Sequence, residues 1–270
     1  MISSNENIFF KAEHIYASYG EKSVLDDISF SIASTSSLAA LIGPNGCGKT
    51  TLLKSICNLI PHSGKCILNQ KIIEAMPLKQ RACSLSYIPQ RSGIQISMSV
   101  MDMVLMGFNP HLKLLEKPNA AMHEAALNAL DMTGTAHLAD RDYLTLSEGE
   151  KQLCVLARTL VQDTDMMLLD EPDSALDFHN RYSMMKTIKN IVTSSNKSAL
   201  ICLHDPVVAL DFCDQLILLK DGKILTTVFP KKDTVMTIEA AFSSLYGNVS
   251  VHEATDKHGC RRLFLINDIM

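Results

Sequence analysis

The stretch Gly43-Pro44-Asn45-Gly46-Cys47-Gly48-Lys49-Thr50-Thr51 has the residue types and spacing needed to hold a chain of phosphates. The pattern is GxxxxGK followed by Ser or Thr. Glycines at 43, 46 and 48 leave three places where backbone can come close to a ligand, and loop N–H groups can then converge on phosphate oxygens. A helix starting at the end of the loop points its positive end at the same anion. Lys49 supplies a mobile ammonium for β and γ phosphates, and the Thr50 hydroxyl is a hard oxygen ligand for Mg²⁺. Cys47 sits inside the loop near a lysine and a helix N-terminus, which is expected to lower its pKa. Alkylation at Cys47 should then inactivate the protein, with nucleotide protecting.

Three other places carry chemistry. Met166 to Leu169 is an apolar run that ends in Asp170-Glu171-Pro172. A buried strand that delivers acids at its C-terminal end puts them in the crevice where parallel sheets bind ligands. Asp170 would hold Mg²⁺, and Glu171 would orient and deprotonate water. Leu200 to Leu203 is another apolar run and ends at His204-Asp205-Pro206. His204 could bond a γ-phosphate or simply satisfy a loop. Ser147 and Glu150 form an S-x-x-E capping box ahead of the apolar stretch Leu153 to Val161, so a helix starts there with unpaired N–H groups facing forward. On residues alone, an ordinary helix start explains this stretch as well as a binding site does.

These residues need elements to position them. Leu38 to Ile42 reads as a buried strand before the phosphate loop, and Thr50 to Leu59 as the helix after it. Residues 8 to 32 read as strands, with Ile28, Phe30 and Ile32 on one face and a turn at Tyr19-Gly20, where Tyr19 would pack on that layer. Lys65 to Leu68 and Ser84 to Ile88 are further strands, the second ending at Pro89-Gln90. From Arg91 to about Leu160 the character is helical, with Asn119 an N-cap for Ala120 to Met132 and Gly134 a C-cap. Met98, Met101, Met103 and Met106 crowd into this region, as core packing or as an adaptable docking face. Leu216 to Leu219, Asp221-Gly222 and Ile224 to Phe229 form a hairpin. A helix-like stretch, Ile238 to Leu245, follows, and no chemistry shows beyond it.

The chain has 270 residues, 47% of them hydrophobic, enough for a large core. Net charge is −4 with both signs interspersed, which argues against nucleic acid as a partner. The N-terminus lacks a basic start before an apolar core, and no stretch approaches bilayer-spanning length, so a cytosolic protein is expected. Eight cysteines at 47, 57, 66, 83, 154, 202, 213 and 260 contain no CxxC pair. Neither a zinc site nor a secreted disulfide framework is suggested, and most cysteines should be small buried hydrophobes.

Taken in order, the motifs resemble the nucleotide-binding subunit of an ATP-binding cassette transporter over essentially the whole chain. Tyr19 falls at the adenine-stacking aromatic, residues 43 to 50 at the phosphate loop, and Gln90 at the glutamine linking Mg²⁺ and water to the helical subdomain. Residues 146 to 150 match the signature, Asp170 and Glu171 the second acidic motif, Ser174 to Asp177 the loop that crosses the dimer interface, and His204 the switch histidine. The implied fold is α/β: a phosphate-loop ATPase core with an antiparallel β subdomain (1–90 and 161–222), an inserted α-helical subdomain (91–160), and a C-terminal hairpin and tail (223–270). One departure stands in the signature, which usually reads LSGGQ or LSGGE but here is Leu146-Ser147-Glu148-Gly149-Glu150. Ser147 and Gly149, the positions that bind the γ-phosphate held by the opposite subunit, both match. A carboxylate at 148, roughly 7 Å from that phosphate, costs about 2 kcal/mol at an effective dielectric near 20. Glu148→Gly is therefore expected to tighten ATP-driven dimerisation.

The resemblance implies a head-to-tail homodimer with two ATP molecules and Mg²⁺ between the copies. Mg²⁺ would be held by Thr50, Gln90 and Asp170, and hydrolysis would involve Glu171, His204 and Gln90. A groove near Gln90 would receive a cytoplasmic helix of a membrane permease, placing the subunit peripherally on the cytoplasmic face of the cell membrane. Val104-Leu105-Met106-Gly107-Phe108-Asn109-Pro110-His111 and Leu245-Tyr246-Gly247 resemble subunits that power import of iron-siderophore, haem and cobalamin compounds, which would also work indirectly with a solute-binding protein. The rivals are a soluble cassette ATPase of translation or DNA repair, a phosphate-loop kinase or GTPase, and a regulatory module without turnover. The first usually carries two cassettes or a coiled-coil insertion, the second would lack the signature, and the intact Glu171 and His204 disfavour the third.

Overall fold

The computed structural model describes residues 8–90, 93–174 and 176–268. The N-terminal segment read for a leader, Arg91 at the start of the expected helical subdomain, and Ala175 within 174–177 lie outside them. In chain order the elements begin with β1 (Phe10–Tyr19), β2 (Lys22–Ile32), β3 (Leu38–Ile42), α1 (Lys49–Ile56), β4 (Ser63–Leu68) and β5 (Lys71–Ile72). Then come α2 (Leu78–Ser84), β6 (Leu85–Ile88), α3 (Val100–Leu105), α4 (Ala120–Met132), α5 (Glu148–Val161), β7 (Met166–Asp170) and α6 (Phe178–Ser194). The chain finishes with β8 (Ser198–Leu203), α7 (Pro206–Phe212), β9 (Gln215–Lys220), β10 (Lys223–Val228), α8 (Val235–Tyr246), β11 (Val249–Thr255) and β12 (Arg261–Asn267). They divide into two compact units, Met1–Met76 with Ser198–Met270, and Pro77–Lys197.

The first unit carries an antiparallel sheet in the order β2-β1-β4-β5. Period-2 alternation buries Ile28, Phe30 and Ile32 on one face, as expected, with the Phe30 ring 5.6 Å from that of Phe10. Tyr19 does not pack on this layer; it stands 53% exposed at the hairpin tip, where it pairs with Lys22. The same unit holds β3, buried at every residue, between parallel partners β8 and β9. Strands covered on both faces read as continuous apolar runs, and Leu38-Ala39-Ala40-Leu41-Ile42 is one. The β9–β10 hairpin turns through Asp221 and Gly222, both at positive φ, as a two-residue turn of the DG type requires.

Helix α1 ends earlier than the apolar pattern suggested. Asn58 adopts a left-handed conformation (φ 52), its N–H bonds the Ser55 carbonyl, and the Leu59 N–H reaches back to Lys54. This is a Schellman stop with asparagine in glycine's usual place, and it excludes Leu59 from the helix.

The second unit holds the parallel pair β6–β7 with helices α2 to α6. Ser84 belongs to α2 rather than to the strand. Asn119 caps α4 by accepting from the Met122 N–H, and Gly134 ends it, with the Gly134 and Thr135 N–H groups bonding Asp131 and Leu130. Helices α3 and α4 both pack on α5. At Gly107 the backbone comes so close to α5 that a Cβ would lie 2.2 Å from the Arg158 carbonyl oxygen. The methionines divide: Met103 is in the core, and Met106 is exposed.

Candidate active site

Both units deliver their candidate residues at the ends of parallel strands. In the first unit, β3 and β8 pair in a register that puts Ile42 opposite Leu203. The phosphate loop, starting at Gly43, and His204 therefore leave the same sheet edge side by side. The three glycines turn out to serve different needs. A Cβ on Gly43 would lie 2.1 Å from the Leu219 carbonyl oxygen and 2.7 Å from Cys47 Sγ, so that position is forced by packing on β9. Gly48 at φ 111 is crowded by Leu25 and Val24. Only Gly46, at φ 78 with nothing within 4 Å of a Cβ, faces open space. Pro44, Asn45 and Gly46 form the exposed rim of the loop, while Cys47, Gly48, Lys49 and Thr51 are buried and Thr50 is half-buried. Lys49 Nζ lies back over the loop, donating to the carbonyls of Gly43 (2.9 Å) and Pro44 (3.2 Å).

Cys47 corrects an expectation. Its side chain is packed inside the loop at 5% exposure, and burial pushes the thiol up despite the nearby Lys49 charge. The helix end and the lysine favour a thiolate, but desolvation outweighs both. Cys47 packs inside the loop, and its burial opposes the thiolate that its neighbours favour.

In the second unit, β6 and β7 pair Ile88 with Leu169, so Pro89-Gln90 and Asp170-Glu171 also emerge together. Gln90 Nε2 donates to Glu171 Oε2 at 3.0 Å and to Ser174 Oγ at 3.4 Å. Asp170 is 3% exposed, and one of its oxygens accepts from the Tyr87 hydroxyl at 3.0 Å. Glu171 has φ 49, a left-handed backbone in a residue with a side chain and directly before a proline. Such a conformation costs about 1–3 kcal/mol and persists only where the surroundings impose it. Tyr87 and Gln152 escaped the sequence reading. Gln152 Nε2 donates to the Gln90 carbonyl at 2.8 Å, tying the Gln90 turn to α5. A polar residue on the inner face of an amphipathic helix was the only available signal for Gln152.

The expected capping box is present. Ser147 Oγ accepts from the Glu150 N–H at 3.4 Å and also donates to Glu150 Oε2 at 2.7 Å, and the Ser147 N–H donates to the same carboxylate. Glu148 points outward, its side chain 62% exposed, and pairs with Lys151 at 2.8 Å. At Gly149 a Cβ would come within 2.9 Å of the Leu176 side chain. Asp177 caps α6 through the Asn180 N–H.

Residues 25–174 match the family model described as ABC transporter. The chain belongs to the ABC transporter family. This ABC ATPase is 34% identical over 226 residues to a probable iron chelatin transport ATP-binding protein of Helicobacter pylori, a match covering 83% of this chain and 86% of the relative. It is 38% identical over 208 residues to a hemin import ATP-binding protein of Gloeobacter violaceus, covering 74% of each. Its fold is that of solved ABC proteins. A chain from a metal-chelate type ABC transporter in an inward-facing conformation superposes with a TM-score of 0.81 at 24% identity, over 96% of this chain and 97% of that one. CbiO1 of Clostridium perfringens gives 0.76 at 25% identity, over 88% and 94%. The ABC ATPase thus has the α/β fold expected, and no helix among its described residues is long and apolar enough to cross a membrane.

Proposed function

We propose that this ABC ATPase is the energy-supplying subunit of an importer for an iron-siderophore or a related metal chelate such as haem or cobalamin. In this reading it works as a head-to-tail homodimer on membrane permease subunits at the cytoplasmic face, served indirectly by a solute-binding protein. Support for the cargo class comes from the relatives, whose names describe iron chelatin, hemin, petrobactin and cobalamin transport. The observation that carries the catalytic assignment is the hydrogen bond from Gln90 to Glu171, which joins two residues 81 positions apart at the strand ends.

The roles follow from the chemistry. The Pro44 to Gly48 backbone and Lys49 take the β and γ phosphates of ATP, with Thr51 buried behind them and Tyr19 offering a face to the adenine. Thr50, Gln90 and Asp170 offer hydroxyl, amide and carboxylate oxygens, all hard donors, and this set fits Mg²⁺. When bound, Mg²⁺ neutralises charge on the phosphate oxygens. Glu171, oriented by Gln90, takes a proton from the attacking water, and His204 bonds the γ-phosphate. Ser147 and Gly149 contact the γ-phosphate bound by the opposite copy. For that contact the Ser147 hydroxyl proton has to leave Glu150 Oε2.

Glu171→Gln keeps an oxygen that accepts from Gln90 but lacks a basic carboxylate. It should bind ATP normally, lose turnover by at least about 100-fold, and accumulate as an ATP-bound dimer on size exclusion. Rapid hydrolysis by that variant, or a monomer at saturating ATP, overturns the assignment. Lys49→Ala should weaken ATP binding itself by about 10–100-fold.

A further inference from the structure

Away from the phosphate loop, the end of α1 leads into a small cluster of metal-ligating side chains. His62 lies in the turn after the Schellman stop, Cys66 is on β4, and Glu74 is in the short helical turn that follows β5. The β4–β5 hairpin pairs Ile67 with Ile72 and so brings Glu74 back beside Cys66. The ligand atoms of the three residues all lie within 4.8 Å of one another. The His62 side chain is 2% exposed and that of Glu74 is 25% exposed, while Cys66 is fully buried.

The hydrogen bonds show how the cluster is charged. His62 Nδ1 is 3.2 Å from the Ile60 carbonyl oxygen, and Nε2 is 3.0 Å from Glu74 Oε1. Both neighbours are acceptors, and the hydrogen bond to Glu74 favours the doubly protonated form of His62 and pushes its pKa up. The Glu74 carboxylate also accepts the Cys66 backbone N–H through both oxygens, at 2.9 and 3.2 Å, and lies within 4.8 Å of Cys66 Sγ. One carboxylate thus sits beside an imidazole and a thiol in a largely buried pocket.

The geometry points to a binding site for a divalent transition ion of the zinc class, formed by His62 Nε2, the Cys66 thiolate and a Glu74 carboxylate oxygen. Mixed nitrogen, sulfur and oxygen donors suit Zn²⁺ and its neighbours and do not suit Mg²⁺ or Ca²⁺. The balance is clean. One divalent ion enters, and two protons leave, one from Nε2 and one from the thiol. Imidazolium, thiol and carboxylate sum to zero, and so do a divalent ion, neutral imidazole, thiolate and carboxylate. The exchange therefore buries no additional net charge, which is the usual obstacle to an ion in such a place.

The supporting contacts are already made. The Nδ1 bond to the Ile60 carbonyl is the kind that fixes ring orientation in metal-binding histidines. Glu74 Oε2 can keep the Cys66 N–H while Oε1 turns to the ion. Tetrahedral donors at zinc sit about 3.3–3.6 Å apart, so the pocket closes with side-chain shifts of about 1 Å. Glu74 is the most exposed of the three, so a water on its side would complete a four-coordinate set.

Co²⁺ is the probe, added to the full-length protein without nucleotide. This keeps the outcome independent of the transport reading. Exposed Cys260, two residues from His258, is first replaced by Ala because it offers competing donors. One equivalent of Co²⁺ should produce a near-ultraviolet thiolate-to-metal band with the visible bands of four-coordinate cobalt, and equimolar Zn²⁺ should abolish it. Cys66→Ala should remove the band, His62→Gln should weaken Co²⁺ binding by at least about 100-fold, and Cys57→Ala should leave both unchanged. Circular dichroism checks that each variant folds, and Glu74→Gln replaces any that does not. Absence of the band in the folded parent overturns the site whatever the variants do, and the three residues are then a buried ion pair beside a thiol. A band that survives Cys66→Ala overturns it equally.

Discussion

Glu148 occupies a signature position where the family usually has glycine, and its charge alone predicted repulsion of a phosphate. The structure gives that charge a partner, Lys151, at 2.8 Å on the same helix turn. Lys151 also shows why the cost is small, because an exposed ion pair one turn apart is worth only about 0.2–1 kcal/mol and largely cancels the field it would otherwise project. The expectation for Glu148→Gly alone is now a change of less than about two-fold in ATP-driven dimerisation. Lys151→Ala in the parent should weaken dimerisation by about two- to five-fold, and the same change in the Glu148→Gly background, where Lys151 has lost the partner that holds its ammonium in place and is screened by solvent, should do less. Equal effects of Lys151→Ala in both backgrounds, measured by sedimentation, would remove the pairing. At this scale the phosphate loop, the acid pair and the capping box were legible because each is a local pattern. Tyr87 and Gln152 were not, because their partners, Asp170 and the Gln90 carbonyl, lie 83 and 62 positions away.

Helix α5 is the element that connects these sites. It starts at the capped Ser147, holds the Gln90 turn through Gln152, and receives Gly107 against its far end. Its start should depend on pH. The Ser147 hydroxyl and backbone N–H hold the Glu150 carboxyl below the ordinary glutamate range. A depressed folded pKa means the carboxylate stabilises the fold above its unfolded value, about 4.3, and the contribution is lost as pH falls through the folded value. Glu150→Gln should therefore lower the melting temperature by about 1–3 °C at pH 7, with the difference closing below about pH 4. A difference that persists undiminished at pH 3 would show that the cap does not depend on charge. Element type was mostly visible in advance through apolar periodicity. Helices as short as α2 and α7, of seven residues each, were not, nor was the stop of α1 at Asn58, since a left-handed asparagine has no signature in hydrophobic pattern.

For the whole molecule, the proposed assembly has a direct test. Expressed together with a permease of a metal-chelate importer, the chain should co-purify in detergent, and the chelate should raise its ATP hydrolysis when a matching solute-binding protein is present. Hydrolysis indifferent to any permease would favour a soluble ATPase. By itself the sequence determined the ABC ATPase family and the α/β class, because phosphate binding, capping and strand burial each require particular residue types at short, regular spacings. Tertiary structure alone decided which distant residues meet. It placed His204 beside the phosphate loop and Gln90 beside Glu171 through strand register, and gathered His62 and Cys66 around the Glu74 carboxylate. It also buried Cys47 too deeply to ionise readily. Register and burial depend on contacts between segments far apart in the chain, and no local pattern carries that information.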